Sequence, residues 1–95
     1  MEFADRGTED IFDGVGSERA RRTLPSALHE KAQNKLSILA FADTVDDLRA
    51  PPSNHLEKLR GDRAGQYSIR INERYRICFR WIAGQAVEVE IVDYH

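Results

Sequence analysis

Three runs decide the fold: Gln66-Tyr67-Ser68-Ile69-Arg70-Ile71-Asn72, Arg74-Tyr75-Arg76-Ile77-Cys78-Phe79-Arg80-Trp81 and Ala86-Val87-Glu88-Val89-Glu90-Ile91-Val92-Asp93. Each alternates with a period of two. Tyr67, Ile69 and Ile71 share one side of the first run, and Tyr75, Ile77, Phe79 and Trp81 share one side of the second. Val87, Val89 and Ile91 share one side of the third. Such alternation marks strands with one face on a core and the other in water, and three in succession read as an antiparallel meander. A one-residue slip would set an apolar face against a charged one, so like faces must pair. A three-residue loop Ile82-Ala83-Gly84 then places Phe79 opposite Val87, Ile77 opposite Val89, Cys78 opposite Glu88 and Arg76 opposite Glu90. A loop Asn72-Glu73-Arg74 places Ile69 opposite Ile77 and Arg70 opposite Arg76.

Upstream the period becomes helical. Glu2 to Asp5 suits a short edge strand, and Thr8 to Phe12 starts a brief helix ended by Gly14 and Gly16. Ser17 caps a second short helix, Glu18 to Arg22, and Pro25 opens a longer one, Ser26 to Ala42. Leu28, Ala32, Leu36 and Leu39 recur along that helix, with Ile38, Phe41 and Val45 widening the stripe. Glu30, Lys31, Gln33, Asn34 and Lys35 form its wet face. Pro51-Pro52-Ser53-Asn54 links helices to strands. The expected fold is α+β, N-terminal helices packed on one face of an antiparallel sheet, in a single domain over residues 1–95.

The 95 residues include 14 Lys and Arg against 16 Asp and Glu, a net charge of −2 that by itself disfavours nucleic acid. The average hides structure. Lys58, Arg60, Arg63, Arg70, Arg74, Arg76 and Arg80 fall within residues 55–81, where only Glu57, Asp62 and Glu73 oppose them. The single cysteine, Cys78, excludes an internal disulfide and suits the reducing cytoplasm. No apolar stretch approaches the roughly 20 residues that span a bilayer, so no membrane association is expected. His29, His55 and His95 stand far apart without a cysteine partner, so neither a metal nor another cofactor is expected.

In that register Arg70, Arg76 and Arg80 project from one sheet face, with Arg60, Arg63 and Lys58 around the turn at Gly61-Asp62. Arginine forks match phosphate oxygens, so such a face can hold an RNA backbone. The terminal Asp93-Tyr94-His95 should lie near it. A ribose 2′-hydroxyl can attack its own 3′-phosphate without metal if one group takes a proton, another supplies one, and cations offset phosphorane charge. Histidine, tyrosine and arginine suit those tasks. Cys78, with no paired base, reads as inert.

Several strings resemble one known family: Pro51-Pro52-Ser53-Asn54-His55-Leu56-Glu57, Gly61-Asp62-Arg63-Ala64-Gly65-Gln66, Ser68-Ile69-Arg70-Ile71-Asn72, Arg76-Ile77-Cys78-Phe79-Arg80-Trp81 and Val89-Glu90-Ile91-Val92-Asp93-Tyr94-His95. They are similar to the HigB toxins of the RelE/ParE superfamily, type II toxin–antitoxin proteins also called plasmid maintenance killer proteins. The resemblance covers nearly the whole chain. It implies a RelE-like α+β fold and a ribosome-dependent endoribonuclease, an mRNA interferase that halts protein synthesis. A HigA-like helix-turn-helix antitoxin would neutralise it, with operator DNA reached only through that antitoxin. The implied catalytic set is Arg76, Asp93, Tyr94, His95 and Arg60, with Asp93 orienting His95. Lys58, Arg63, Arg70, Arg80 and His55 would contact RNA or the ribosome, His55 standing where close relatives carry arginine. Two rival readings share the fold: a ParE-like gyrase poison, and a weakened toxin acting as antitoxin-binding partner and co-repressor.

Overall fold

The structure, a computed structural model describing residues 1–94, begins with α1 (Arg6–Phe12) and α2 (Glu18–Thr23). Asp5 caps α1, its Oδ1 accepting from the Thr8 amide at 2.7 Å, and Ser17 caps α2 by accepting from the Ala20 amide at 3.1 Å. These side chains satisfy amides that a helix start leaves unpaired. The two helices close on each other at Gly7, where a Cβ would meet Thr23 Oγ1 at 2.0 Å. Buried Asp10 fastens them, accepting from Ser17 Oγ at 2.6 Å and from Arg19 Nε at 2.7 Å.

A 3-10 turn, Ser26–Leu28, leads into α3 (His29–Phe41). Ala32, Leu36 and Leu39 are buried as the stripe requires. Two positions differ from expectation. Phe41 is 85% exposed. It lies two residues past Leu39, about 200° around the helix. Lys35, expected in water, is buried. It follows Ala32 by three residues and precedes Leu39 by four, which sets it on the apolar stripe.

The sheet contains β1 (Glu57–Lys58), β2 (Tyr67–Arg70), β3 (Tyr75–Ile82) and β4 (Gln85–Asp93), in that order and antiparallel throughout. Phe3 bridges Val89 in parallel, so the expected N-terminal edge segment lies beyond β4. The two residues of β1, both exposed, carry no periodicity and were not expected as a strand. The helices pack on one face. Ile69, Ile77, Phe79, Val89 and Ile91 meet Ile11, Leu24, Leu36 and Leu39 in the main core. Each such side chain contributes about 1.5–3 kcal/mol on full burial.

The β2–β3 register is as expected, with Ile69 opposite Ile77 and Arg70 opposite Arg76. The β3–β4 register is not. Ile82 pairs with Gln85 across a two-residue turn, Ala83 and Gly84, whose φ values are 52° and 78°. Turns with two left-handed residues match the twist of paired strands, which favours this loop over the three-residue one. A bulge follows, with Glu88 at φ 51°, between the Arg80–Val87 and Cys78–Glu90 pairs. Turn and bulge each move the register by one residue. Ile77 therefore faces Ile91, Cys78 faces Glu90 and Arg76 faces Val92, replacing the expected Val89, Glu88 and Glu90. The bulge restores alternation so that Val89 and Ile91 still point into the core. Before it the faces are exchanged: Ala86 is buried inward, and Val87, expected in the core opposite Phe79, lies beside Arg80.

The second sheet face is not simply wetted, as expected, but roofed. Ser68 and Cys78 are fully buried there, and Leu59 is buried outside the main core. The segment between β1 and β2 covers them. It closes through the Leu59 amide, which donates to the Gln66 carbonyl at 2.8 Å, and through Arg63 Nη1, which donates to Glu90 Oε1 at 2.8 Å. At Gly65 a Cβ would meet Arg80 Nη1 at 2.7 Å, and its φ of 89° also favours glycine.

Candidate active site

Arg76 stands at the centre of the roofed face. Its Nε donates to Ser68 Oγ at 2.7 Å, diagonally across β2–β3, and its Nη2 donates to the His55 carbonyl. That carbonyl is aimed by the left-handed backbone of His55, φ 44° and ψ 55°. The Arg76 guanidinium carbon lies 5.9 Å from the centroid of the Tyr94 ring, and the Tyr94 amide is tied to the Arg74 carbonyl at 2.8 Å. A carboxylate also approaches: Glu57 Oε1 lies 3.9 Å from Nη1, with its side chain 54% exposed. Arg76 does not face Glu90 as expected, because the two-residue turn and the bulge together carry Glu90 to Cys78, where it binds Arg63 instead.

This environment matters chemically. Arg76 is 8% exposed, yet its hydrogen bonds go to a hydroxyl and to carbonyl oxygens. Those neutral acceptors fix its plane without cancelling its charge. An arginine so held presents preorganised positive charge to an anion. Burial of such a cation is tolerated because its Nε and Nη2 donors are satisfied, while Nη1 is left toward the Glu57 carboxylate.

The other expected residues divide. Arg70, Arg63 and Arg80 share this side: Arg70 Nε donates to the Asn72 carbonyl at 3.1 Å, and Arg80 pairs with Glu88 at 2.6 Å. Arg60 is exposed at the start of the Gly61–Arg63 turn. Asp93 Oδ2 accepts from Arg74 Nη2 at 2.6 Å and from Nε at 3.0 Å. His95, and with it the expected Asp93–His95 contact, lies outside the described residues. The His55 side chain is exposed while its carbonyl serves Arg76.

Lys58 departs from the group. It pairs with Tyr67 on the opposite side of β1, lining a cleft of about 220 Å³ with Leu56, Tyr67, Val45, Asp46 and Arg49. One residue of alternation separates it from Glu57, which is enough to reverse its face. Cys78 is buried, and that burial pushes its thiol up despite Arg63 nearby, in keeping with an inert role. Among the described residues no three His, Cys, Asp or Glu side chains converge as metal ligands. Ser68 and Glu57 were not among the expected site residues. Ser68 shares its strand face with Arg70, and that alternation was the available signal.

The fold defines a class. The solved YoeB–YefM complex from Staphylococcus aureus matches with a TM-score of 0.63, over 99% of this chain and 93% of that one, at 18% identity. A second structure, a heterotetrameric YoeB–YefM toxin–antitoxin complex from the same organism, matches with a TM-score of 0.62. The helices-on-sheet arrangement is thus the RelE-like α+β fold. The family follows from sequence. A model described as the RelE-like toxin of the type II toxin–antitoxin system HigB matches residues 1–95, and the chain belongs to this HigB-like toxin family. Toxin HigB-1 of Vibrio cholerae serotype O1 is 37% identical over 87 residues, covering 92% of this chain and 88% of that protein. Endoribonuclease HigB of Proteus vulgaris is 29% identical over 94 residues, covering 98% and 96%. The family expected from the motifs is the family found.

Proposed function

We propose that this type II toxin is an endoribonuclease that cleaves mRNA on the ribosome, needs no metal, and so arrests protein synthesis. Residues 1–95 act as one toxin domain in the cytoplasm. A HigA-like helix-turn-helix antitoxin binds it, and operator DNA is reached only through that antitoxin. Support comes from the relative named as an endoribonuclease and above all from Arg76, a buried guanidinium oriented by neutral acceptors.

In the reaction the ribose 2′-oxygen attacks the adjacent phosphorus while its proton leaves, and the 5′-oxygen departs as it gains a proton. Arg76 offsets charge on the phosphorane. His95 and Tyr94 exchange the two protons, and Asp93 orients His95. Glu57, whose carboxylate lies 3.9 Å from Arg76 Nη1, is a further acceptor for the 2′ proton. Arg60 and Arg70 contact phosphates or ribosomal RNA, joined by the exposed His55. Arg63 and Arg80 do so by exchanging Glu90 and Glu88 for phosphate oxygens.

The test is induction of the chain in cells without antitoxin, followed by mapping of mRNA 5′ ends. Cuts confined to translated frames, and lost in Arg76→Ala and His95→Ala, are expected. Intact mRNA with DNA damage would instead favour a gyrase poison. Intact mRNA and DNA, with antitoxin and operator binding retained, would favour a co-repressor.

A further inference from the structure

The buried lysine of α3 has a place in the site. Lys35 is 8% exposed, and its Nζ donates to Asn54 Oδ1 at 2.6 Å and to Ser53 Oγ at 3.3 Å. Asn54 is fully buried. Its Nδ2 donates in turn to the Leu48 carbonyl at 3.1 Å and the Ala50 carbonyl at 3.2 Å. Both ends of the Asn54 amide are therefore engaged, and the turn Pro52–Asn54 is pinned to α3 and to the segment before it. The next residue is His55, whose left-handed backbone directs its carbonyl to Arg76 Nη2.

A buried ammonium held, among the described residues, by neutral oxygens is an expensive way to anchor a turn, since burial disfavours its charged form. An apolar residue at this point of the stripe would pack at lower cost but supply no donor to Asn54. The lysine therefore does something that packing alone does not require.

We infer that Lys35 and Asn54 are positioning residues for Arg76, acting through the His55 carbonyl to set the plane of its guanidinium. Ser68 fixes one edge of that plane from β2, and the α3 clamp fixes the other. The catalytic consequence rests on the reading of Arg76 above, whereas the positional link does not. Sub-ångström displacement of a charge-stabilising group lowers kcat more than it alters substrate binding.

The experiment compares Lys35→Met with the wild-type chain in two measurements. In nitrogen-15 NMR the Arg76 Nε–H signal, assigned by its loss in Arg76→Lys, should exchange with solvent about tenfold faster in Lys35→Met. In a purified translation system kcat for mRNA cleavage should fall roughly 10- to 100-fold with KM within about twofold. In an Arg76→Lys background the same Lys35→Met change should alter kcat by less than about twofold, because lysine cannot reach Ser68 and His55 together. Lys35→Gln, a shorter donor, replaces Lys35→Met if the latter unfolds. An unchanged Arg76 Nε–H signal, or an equal loss of kcat in both backgrounds, overturns the inference. A wild-type chain that does not cleave, with an Arg76 signal that still responds, overturns the RNase reading and leaves the positional link standing.

Discussion

Arg76 Nε and Ser68 Oγ are joined at 2.7 Å across neighbouring strands, and both residues are buried on the sheet face turned away from the helices. The serine hydroxyl orients the arginine without neutralising it. Ser68→Ala removes the acceptor and leaves a buried N–H unpaired, which costs about 1–3 kcal/mol. Chemical denaturation should show a loss of that size, and mRNA cleavage should fall while antitoxin binding persists. A variant of unchanged stability and rate would show that the hydroxyl is not the orienting group.

Arg76 and Lys58 are both basic residues of the same sequence segment, yet they lie on different sides of the sheet. Removing a preorganised charge-stabilising group lowers kcat by roughly 10²–10³-fold, and Arg76→Ala should do so. Lys58→Ala should change single-turnover cleavage little. A comparable collapse in both would place Lys58 in the site after all.

Arg63 and Glu90 hold the roof over Cys78, their side chains 34% and 33% exposed. A pair that open contributes about 1 kcal/mol or less to stability. Its removal should be visible elsewhere. In the native chain Cys78 should resist a thiol reagent, and Arg63→Ala should speed its modification with little change in thermal midpoint. Equal modification rates would mean that the roof closes without this pair.

The Arg19 hydrogen bond, and after it that of Ser17, hold the Asp10 carboxyl below the usual aspartate range. A carboxylate whose pKa is lower folded than unfolded binds its proton more weakly in the native state. The stability it confers is fully present above pH about 4 and is lost as pH falls through the lowered value. Acid titration of unfolding should therefore show a shallower decline in Asp10→Asn than in the wild-type chain. Parallel acid limbs would assign the decline to other carboxylates.

Local periodicity carried the elements with long patterns. Tyr67, Ile69 and Ile71 alternate, Ala32, Leu36 and Leu39 recur, and both patterns survive folding because burial enforces them. It did not carry β1, which has only two residues and no alternation. Nor did it carry the hairpin register: the turn has two residues rather than three, Glu88 adopts a left-handed backbone that glutamate does not advertise, and turn and bulge together moved Glu90 from Arg76 to Cys78.

The site divides along the same line. The segment rich in arginine and the motifs around Arg76 and Tyr94 were legible as residues, and they led to the HigB-like family that the whole-chain match establishes. By itself, then, the sequence determined the α+β class, the β2–β3 pairing and the chemistry available on one sheet face. Only the tertiary structure decided that Arg76 is buried, that Ser68 and the His55 carbonyl hold it, and that Lys58 lies on the opposite side. Lys35 belongs with these, since its partners lie 18 and 19 residues away. The reason is range. Amphipathic period is set between near neighbours, whereas the surroundings of a charge are set by whatever distant segment the closed fold brings against it.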